Sequence, residues 1–200
     1  MLSIKEMQRK LAASLPPKRY KHSLGVYETA LRLAKRYDVP TEPVAVAALL
    51  HDCGREVPTG ELLTRAEALG LPIDEVEHCQ PILLHAKLGV YYAKQKYGVD
   101  DPAILKAIEL HSTGAPDMTP LDMIIYLADL VEPGRDFAEV GEMRALVKVD
   151  LEQAMMKAYA QTITYLLERE LLIHPLCVQA YNQLAAKFRD RTRSFKESKQ

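Results

Sequence analysis

The sequence predicts an all-α fold built around a single core. Three observations point there. Apolar residues recur at three- and four-residue steps through most of the chain, no strand-length run alternates apolar with polar residues, and Pro, Gly or a capping side chain punctuates the helical stretches. Two hundred residues suit one domain of ordinary size. No internal repeat or low-complexity segment divides the chain. The expected division is a lead-in over residues 1–17, a main helical domain over 18–185 and a basic end over 186–200, whose charged tail is expected to fray.

The elements follow in order. "KRYKHSLGVYETALRLAKRYDVP" begins after the Pro16–Pro17 break and ends before Pro40, with His22 on the face of Val26, Ala30, Leu33 and Tyr37. "TEPVAVAALLHDCG" offers Thr41 as an N-cap and Pro43 in its first turn, and Gly54 as the residue past its end. His51 shares a face with Val44 and Ala48, and Asp52 lies beside it. A short helix over 61–69 closes at Gly70, and "IDEVEHC" adds a turn or two before Pro81. "PILLHAKLGVYYAKQKYG" carries His85 in line with Ile82, Leu88, Gly89 and Tyr92. "DDPAILKAIELHSTG" opens on an Asp cap and brings His111 to its end. "TPLDMIIYLADLVEPG" opens on a capping box of Thr119 and Asp122, and Asp129 sits near its end in line with Ile125. Residues 150–169 and 175–195 complete the set.

Composition narrows the function classes. The net charge of −1 and the absence of a basic recognition helix argue against nucleic acid as a partner, and no apolar run is long enough to span a bilayer. The N-terminus has no continuous apolar stretch of the kind a signal peptide needs. Cys53, Cys79 and Cys177 form no even framework and no C-x-x-C, which favours a reducing, cytoplasmic setting. Tyr and Met on the last two helices leave a homodimer face open.

Six ionisable side chains stand at inward positions or helix ends: His22, His51, Asp52, His85, His111 and Asp129. One inward histidine is ordinarily a hydrogen-bonded core residue. Burying all six unpaired would cost several kcal/mol each, and a metal cluster would satisfy them together. Histidine with aspartate and no thiolate suits iron, manganese or zinc. Six ligands are too many for one open catalytic ion and a good number for two ions bridged by one carboxylate, with Asp52 as the natural bridge.

The ordered set H…HD…H…H…D resembles the HD-domain metal-dependent phosphohydrolases. "AIELHSTG", "LDMIIYLADLVEPGRDF" and "LLHAKLGVYYAKQKYGV" are similar to the YqeK family within them, over about residues 18–185. The resemblance implies an HD-domain fold, a di-iron centre, and symmetrical cleavage of diadenosine tetraphosphate into two ADP. It carries the metal-ligand role onto His22, His51, Asp52, His85, His111 and Asp129. Three departures stand out: Ala86-Lys87 where Gly-Pro is expected, Arg55 where Lys is frequent, and "HSTG" in place of "HTTG".

The expected mechanism places His51 and Asp52 at the catalytic centre. One ion falls to His22, His51, Asp52 and Asp129, the other to Asp52, His85 and His111, and a hydroxide between them attacks phosphorus in line. Arg55 and Arg135 are the first-choice cations for the polyphosphate, with Lys18 and Arg19 behind them. Thr113 offers a hydroxyl, and Gly25 leaves space for a nucleotide. Two alternatives use the same residues differently: hydrolysis of another nucleotide (a nucleotide monophosphate, a deoxynucleoside triphosphate or an alarmone), or a non-catalytic nucleotide-sensing module.

Overall fold

The structure is a computed structural model that describes residues 1–197, with side chains through Arg191. The described residues form α-helices and no strands: α1 (Ile4–Ser14), α2 (Pro17–Arg36), α3 (Thr41–Leu50), α4 (Leu62–Ala68), α5 (Glu75–Cys79), α6 (Leu84–Tyr97), α7 (Pro102–Leu110), α8 (Pro120–Val131), α9 (Val140–Leu146), α10 (Leu151–Glu168) and α11 (Pro175–Glu197). Short 3₁₀ turns occupy Cys53–Glu56, Thr59–Glu61 and Pro81–Leu83.

Helix α3 is the axis of the core. Every residue from Val44 to Leu50 is buried, so beyond its exposed first turn this helix has no solvent face. Its apolar, small-residue sequence "VAVAALL" is what a helix enclosed by neighbours requires. Helices α1, α2, α7 and α8 pack around it. Helix α6 lies across α7 and the 3₁₀ turn that follows α3, and α10 backs α8 while α11 covers α10. Met7 and Leu11 of α1 sit in the same core as Ile108 of α7 and Ile124 of α8, all fully buried.

Local chemistry accounts for the boundaries. Asp74 of α5 and Thr119 of α8 each close a capping box, with Glu77 and Asp122 returning the hydrogen bond. Asp101 and Asp150 cap α7 and α10. Gly98 ends α6 with φ +68°, a left-handed turn that suits glycine.

Several expectations shift. Thr41 is the first helical residue of α3 rather than its cap, and makes no capping hydrogen bond. Helix α3 stops at Leu50, and Gly54 lies inside the 3₁₀ turn instead of closing the helix. The reason for glycine there is proximity: a Cβ at 54 would sit 2.1 Å from His85 O and 2.7 Å from Gly89 N of α6. Helix α9 went unforeseen, being a single short helix entered through Glu139 at φ 66°. Helix α11 continues to Glu197 through the stretch expected to fray, with Lys187 and Arg191 on Glu152 of α10; residues 198–200 of that basic end lie outside the described residues. Met155 and Tyr159 of α10 are buried, so the exposed apolar residues at this end are Tyr165, Leu167, Leu171, Leu172 and Val178. No helix of the described residues is long and apolar enough to cross a membrane.

Gly54→Ala is expected to force α6 away from the turn that carries His51 and Asp52. Overpacking against backbone, which cannot rotate aside, costs about 1–3 kcal/mol, read as a lower midpoint in thermal or urea unfolding. An unchanged midpoint would mean that the close approach imposes no constraint.

Candidate metal centre

The six candidate side chains come from five places in the chain and meet at one point. His22 arrives from the interior of α2, His51 and His111 from the C-terminal caps of α3 and α7, and Asp52 from the residue that opens the 3₁₀ turn after the α3 cap. His85 lies in the first turn of α6 and Asp129 in the last turn of α8. Asp52 is central. Its Oδ2 lies 3.9 Å from His22 Nε2 and 3.8 Å from His51 Nε2. Its Oδ1 lies 3.5 Å from His85 Nε2 and 3.8 Å from His111 Nε2. Asp129 Oδ1 stands 2.9 Å from His22 Nε2 and 3.9 Å from His51 Nε2. Donor atoms of His22, His51 and Asp129 fall within 4.8 Å of one another, as do those of His51, Asp52 and His111.

The other ring nitrogen decides what these imidazoles present. His51 Nδ1 is 2.7 Å from Ala48 O, His111 Nδ1 is 2.7 Å from Ile108 O, and His85 Nδ1 is bonded to Ile82 O. A carbonyl oxygen only accepts, so each Nδ1 carries the proton and, in the neutral ring, each Nε2 presents a lone pair. His22 Nδ1 has a carboxylate partner, Glu132 Oε1 at 3.1 Å, with the same consequence. Four lone pairs therefore converge on one carboxylate. His85 Nε2 and His111 Nε2 face each other at 2.9 Å, a contact that needs a cation or a proton to be tolerable. His22 Nε2 and His51 Nε2 are buried with no aligned hydrogen-bond partner. These are the marks of a ligand set, and the histidine and aspartate donors fit one or two divalent ions.

The electrostatics agree. Burial outweighs the nearby Asp52 carboxylate and pushes His51 down to about 4 and His85 down to about 3, so both rings are neutral at physiological pH. For Asp52 burial works toward protonation, yet His51, His85 and His111 hold it well below the usual carboxylate range. Asp129 is likewise held down, burial being outweighed by His22, His51 and Arg135. His22 is held above the ordinary imidazole value: burial opposes its charge, and Asp129 and Glu132 outweigh it.

Above the cluster opens a cleft of about 270 Å³ lined by Asp52, His85, His111 and Asp129 with three arginines, Arg19, Arg55 and Arg135. Arg55 Nε is 3.3 Å from Asp52 Oδ1, and Arg135 is bonded to the Asp129 carboxylate and, at 2.8 Å, to its carbonyl. Arg19, ranked behind those two on sequence, donates to Asp52 Oδ2 at 2.8 Å. Lys18 is exposed and absent from the cleft wall. Ser112, Tyr126, Leu130, Phe137 and Thr162 supply the rest of the wall.

Two expectations need correction. Thr113 does not face this cleft; its hydroxyl donates to Gly114 O, and it lines a separate groove with Glu77, Lys87 and His174. Its neighbour Ser112 borders both that groove and the cleft. The space at Gly25 is taken: a Cβ there would meet Glu132 Oε2 at 2.5 Å, leaving no room for a nucleotide against α2. Glu132 itself was missed. Its signal lay three residues beyond Asp129, one turn along the same helix face, within the "EPG" that ends α8.

A second group, Asp74, Glu77 and His174, has metal-like spacing. Leu176 N–H donates to His174 Nδ1, so the ring's proton is on Nε2 and is given to Asp74 at 2.8 Å. Glu77 is taken by Lys87 at 2.6 Å. This is an ion-pair cluster with no free lone pair on its imidazole. His78 is exposed, and the Cys53 thiol, buried and raised by that burial, donates to Gly89 O.

Comparison with known proteins places the geometry in context. The HD domain family matches residues 19–134. A symmetrical bis(5′-nucleosyl)-tetraphosphatase of Halalkalibacterium halodurans is 38% identical over 83% of this chain and 88% of its own. Its counterpart in Bacillus subtilis is 35% identical over 84% of this chain and 90% of its own. A solved structure from Clostridium acetobutylicum, described as a predicted HD superfamily hydrolase involved in NAD metabolism, superposes with a TM-score of 0.89 at 37% identity. That match covers 94% of this chain and 99% of the other.

The depressed histidines set a pH dependence. On unfolding, His51 and His85 regain the ordinary imidazole value of 6.5, so the unfolded chain binds protons that the folded rings refuse. Their contribution to stability is complete above about pH 6.5 and is lost as pH falls toward 4. Asp52 and Asp129 act the same way at lower pH, whereas His22, being raised, acts oppositely and only above its unfolded value. The metal-stripped protein is expected to lose melting temperature steadily from pH 6.5 to 4.5. His85→Gln should flatten that slope, and equal slopes would count against the neutral assignment.

Proposed function

The chain belongs to the HD-domain family, in its YqeK group of symmetrical bis(5′-nucleosyl)-tetraphosphatases, and from that premise we propose that it hydrolyses diadenosine tetraphosphate with water into two ADP. The observation that carries this reading is the convergence of four Nε2 lone pairs on Asp52 at the floor of an arginine-lined cleft. His22, His51, Asp129 and the Oδ2 side of Asp52 would hold one divalent ion. The Oδ1 side of Asp52 with His85 and His111 would hold the other. Iron is the family's implied metal, with manganese and zinc suited to the same donors. Bound ions supply Lewis acidity to phosphoryl oxygens and lower the pKa of water.

The chain's own residues do the rest. Arg19, Arg55 and Arg135 face the cleft as a fork of cations matched to a polyphosphate, and planar guanidinium groups suit phosphate oxygens bidentately. Their charge would stabilise the ADP leaving group as the bond to the central bridging oxygen breaks. Tyr126 and Phe137 lie at the cleft wall, where a base would find aromatic neighbours. The Nδ1 hydrogen bonds keep every imidazole in one tautomer and orientation throughout. The three cysteines are free, which fits the proposed cytoplasmic setting, and the exposed Tyr165, Leu167 and Leu172 are the face a homodimer would use.

Retention of all six donors argues against a non-catalytic module, in which buried unpaired groups would be a liability. Hydrolysis of a different nucleotide keeps the same site and has the description of the Clostridium acetobutylicum relative in its favour.

Iron-loaded protein given diadenosine tetraphosphate under anaerobic conditions should yield ADP as the sole product on ion-exchange chromatography. ATP with AMP would overturn the symmetrical cut, and absence of turnover alongside hydrolysis of another nucleotide in a panel would favour the second reading. A chelator or Asp52→Asn should abolish turnover. Arg55→Ala and Arg135→Ala should each lower it about 10²-fold, as loss of one charge-stabilising donor does.

A further inference from the structure

Three of the four histidines are oriented by their own chain segment. His51 and His111 cap helices, and His85 follows a 3₁₀ turn, so the carbonyl three residues back is available to each Nδ1–H. His22 sits inside α2, where the preceding carbonyls serve the helix and Arg19 O also accepts from Ser23 Oγ. Its ring needs a partner from elsewhere. That partner is Glu132, 5% exposed at the end of α8.

Glu132 is held at both oxygens. Oε1 accepts from His22 Nδ1 at 3.1 Å, and Oε2 accepts from Gly134 N–H at 2.6 Å. Two glycines make the room: a Cβ on Gly25 would meet Oε2 at 2.5 Å, and one on Gly134 would meet Oε1 at 2.8 Å. Arg144 of α9 fastens the turn from the other side, donating to Val131 O, Glu132 O and Arg135 O at 2.8–2.9 Å. No other carboxylate in the described residues contacts a ring nitrogen of the cluster at Nδ1.

We propose that Glu132 is the positioning residue for His22, with Gly25 as its required counterpart, and that the pair sets affinity for the ion on the His22–Asp129 side and not the other. This rests on the metal reading above. A carboxylate accepting from Nδ1 both fixes the ring and raises the donor strength of Nε2. An amide cannot replace it: its one oxygen accepts from only one of the two N–H donors, and its NH₂, itself a donor, must face the other.

The test is titration of the metal-free full chain with Co²⁺, followed by calorimetry and by visible absorption. The parent should take two equivalents. E132Q should weaken one of them about 10–100-fold, with a changed absorption band, and leave the other as it was. G25A favours helix intrinsically, so it serves if E132Q folds poorly, and it should show the same selective loss. Added to E132A, where no carboxylate is left to displace, G25A should cost no further affinity. Two unaltered equivalents in both E132Q and G25A would overturn the proposal, as would equal weakening of both ions. A parent that binds no Co²⁺ would overturn the metal reading itself and this inference with it.

Discussion

Everything in this molecule is arranged around the cost of gathering four imidazoles and two carboxylates in one buried place. Asp52 is 2% exposed and His51 fully buried, yet each faces other ionisable groups and not apolar packing. A closed interior pays for such a cluster only if every polar atom finds a partner or a ligand. The architecture answers by letting α3 run through the centre of the core, apolar on all sides from Val44 onward, and by ending it where chemistry must begin. The last helical residue is Leu50, and the next two are His51 and Asp52.

Helix ends are the device used most. A helix C-terminus leaves carbonyls unbonded, and an imidazole placed there takes up one of them through Nδ1–H. His51 on Ala48 O and His111 on Ile108 O share that solution, which directs Nε2 outward from the helix end. The tautomer is thus chosen by backbone, the most rigid acceptor available. His22 lies on a helix interior and draws its acceptor from the far end of α8, so one corner of the cluster depends on the α2–α8 packing. The turn after α8 consequently has a double duty, carrying Glu132 toward the cluster and Arg135 toward the cleft.

The cations follow the same economy of placement. Arg19 comes from the start of α2, Arg55 from the 3₁₀ turn after the Asp52 pair and Arg135 from the turn after α8, so each lies within a turn or so of a proposed ligand. Their guanidinium groups rest on Asp52 or Asp129 and line the opening. Negative charge at the floor and positive charge at the rim suit a substrate whose phosphates meet the arginines first. The adjoining groove with Lys87, Glu77 and His174 shows the contrast: similar residue types, closed on one another by hydrogen bonds, with both nitrogens of the imidazole taken.

The all-helical class, the caps at Asp101 and Thr119 and the six inward ionisable side chains were all legible in the sequence, because they depend on periodicity and on short-range backbone hydrogen bonding. Residue spacing also marked Arg55 and Arg135 as near the cluster. Long-range packing lay beyond that reach. No local pattern announces that α3 is enclosed on every side from Val44 onward, that Gly54 faces the backbone of α6, or that Ser112 reaches the cleft and Thr113 does not. Gly25 is the sharpest case: a glycine one turn after His22 reads as open space along one helix, and only the approach of α8 reveals that Glu132 occupies it. The sequence by itself determined which side chains were available and which helices would present them. Tertiary structure alone decided which atom of each would point where, since that depends on contacts between segments a hundred residues apart.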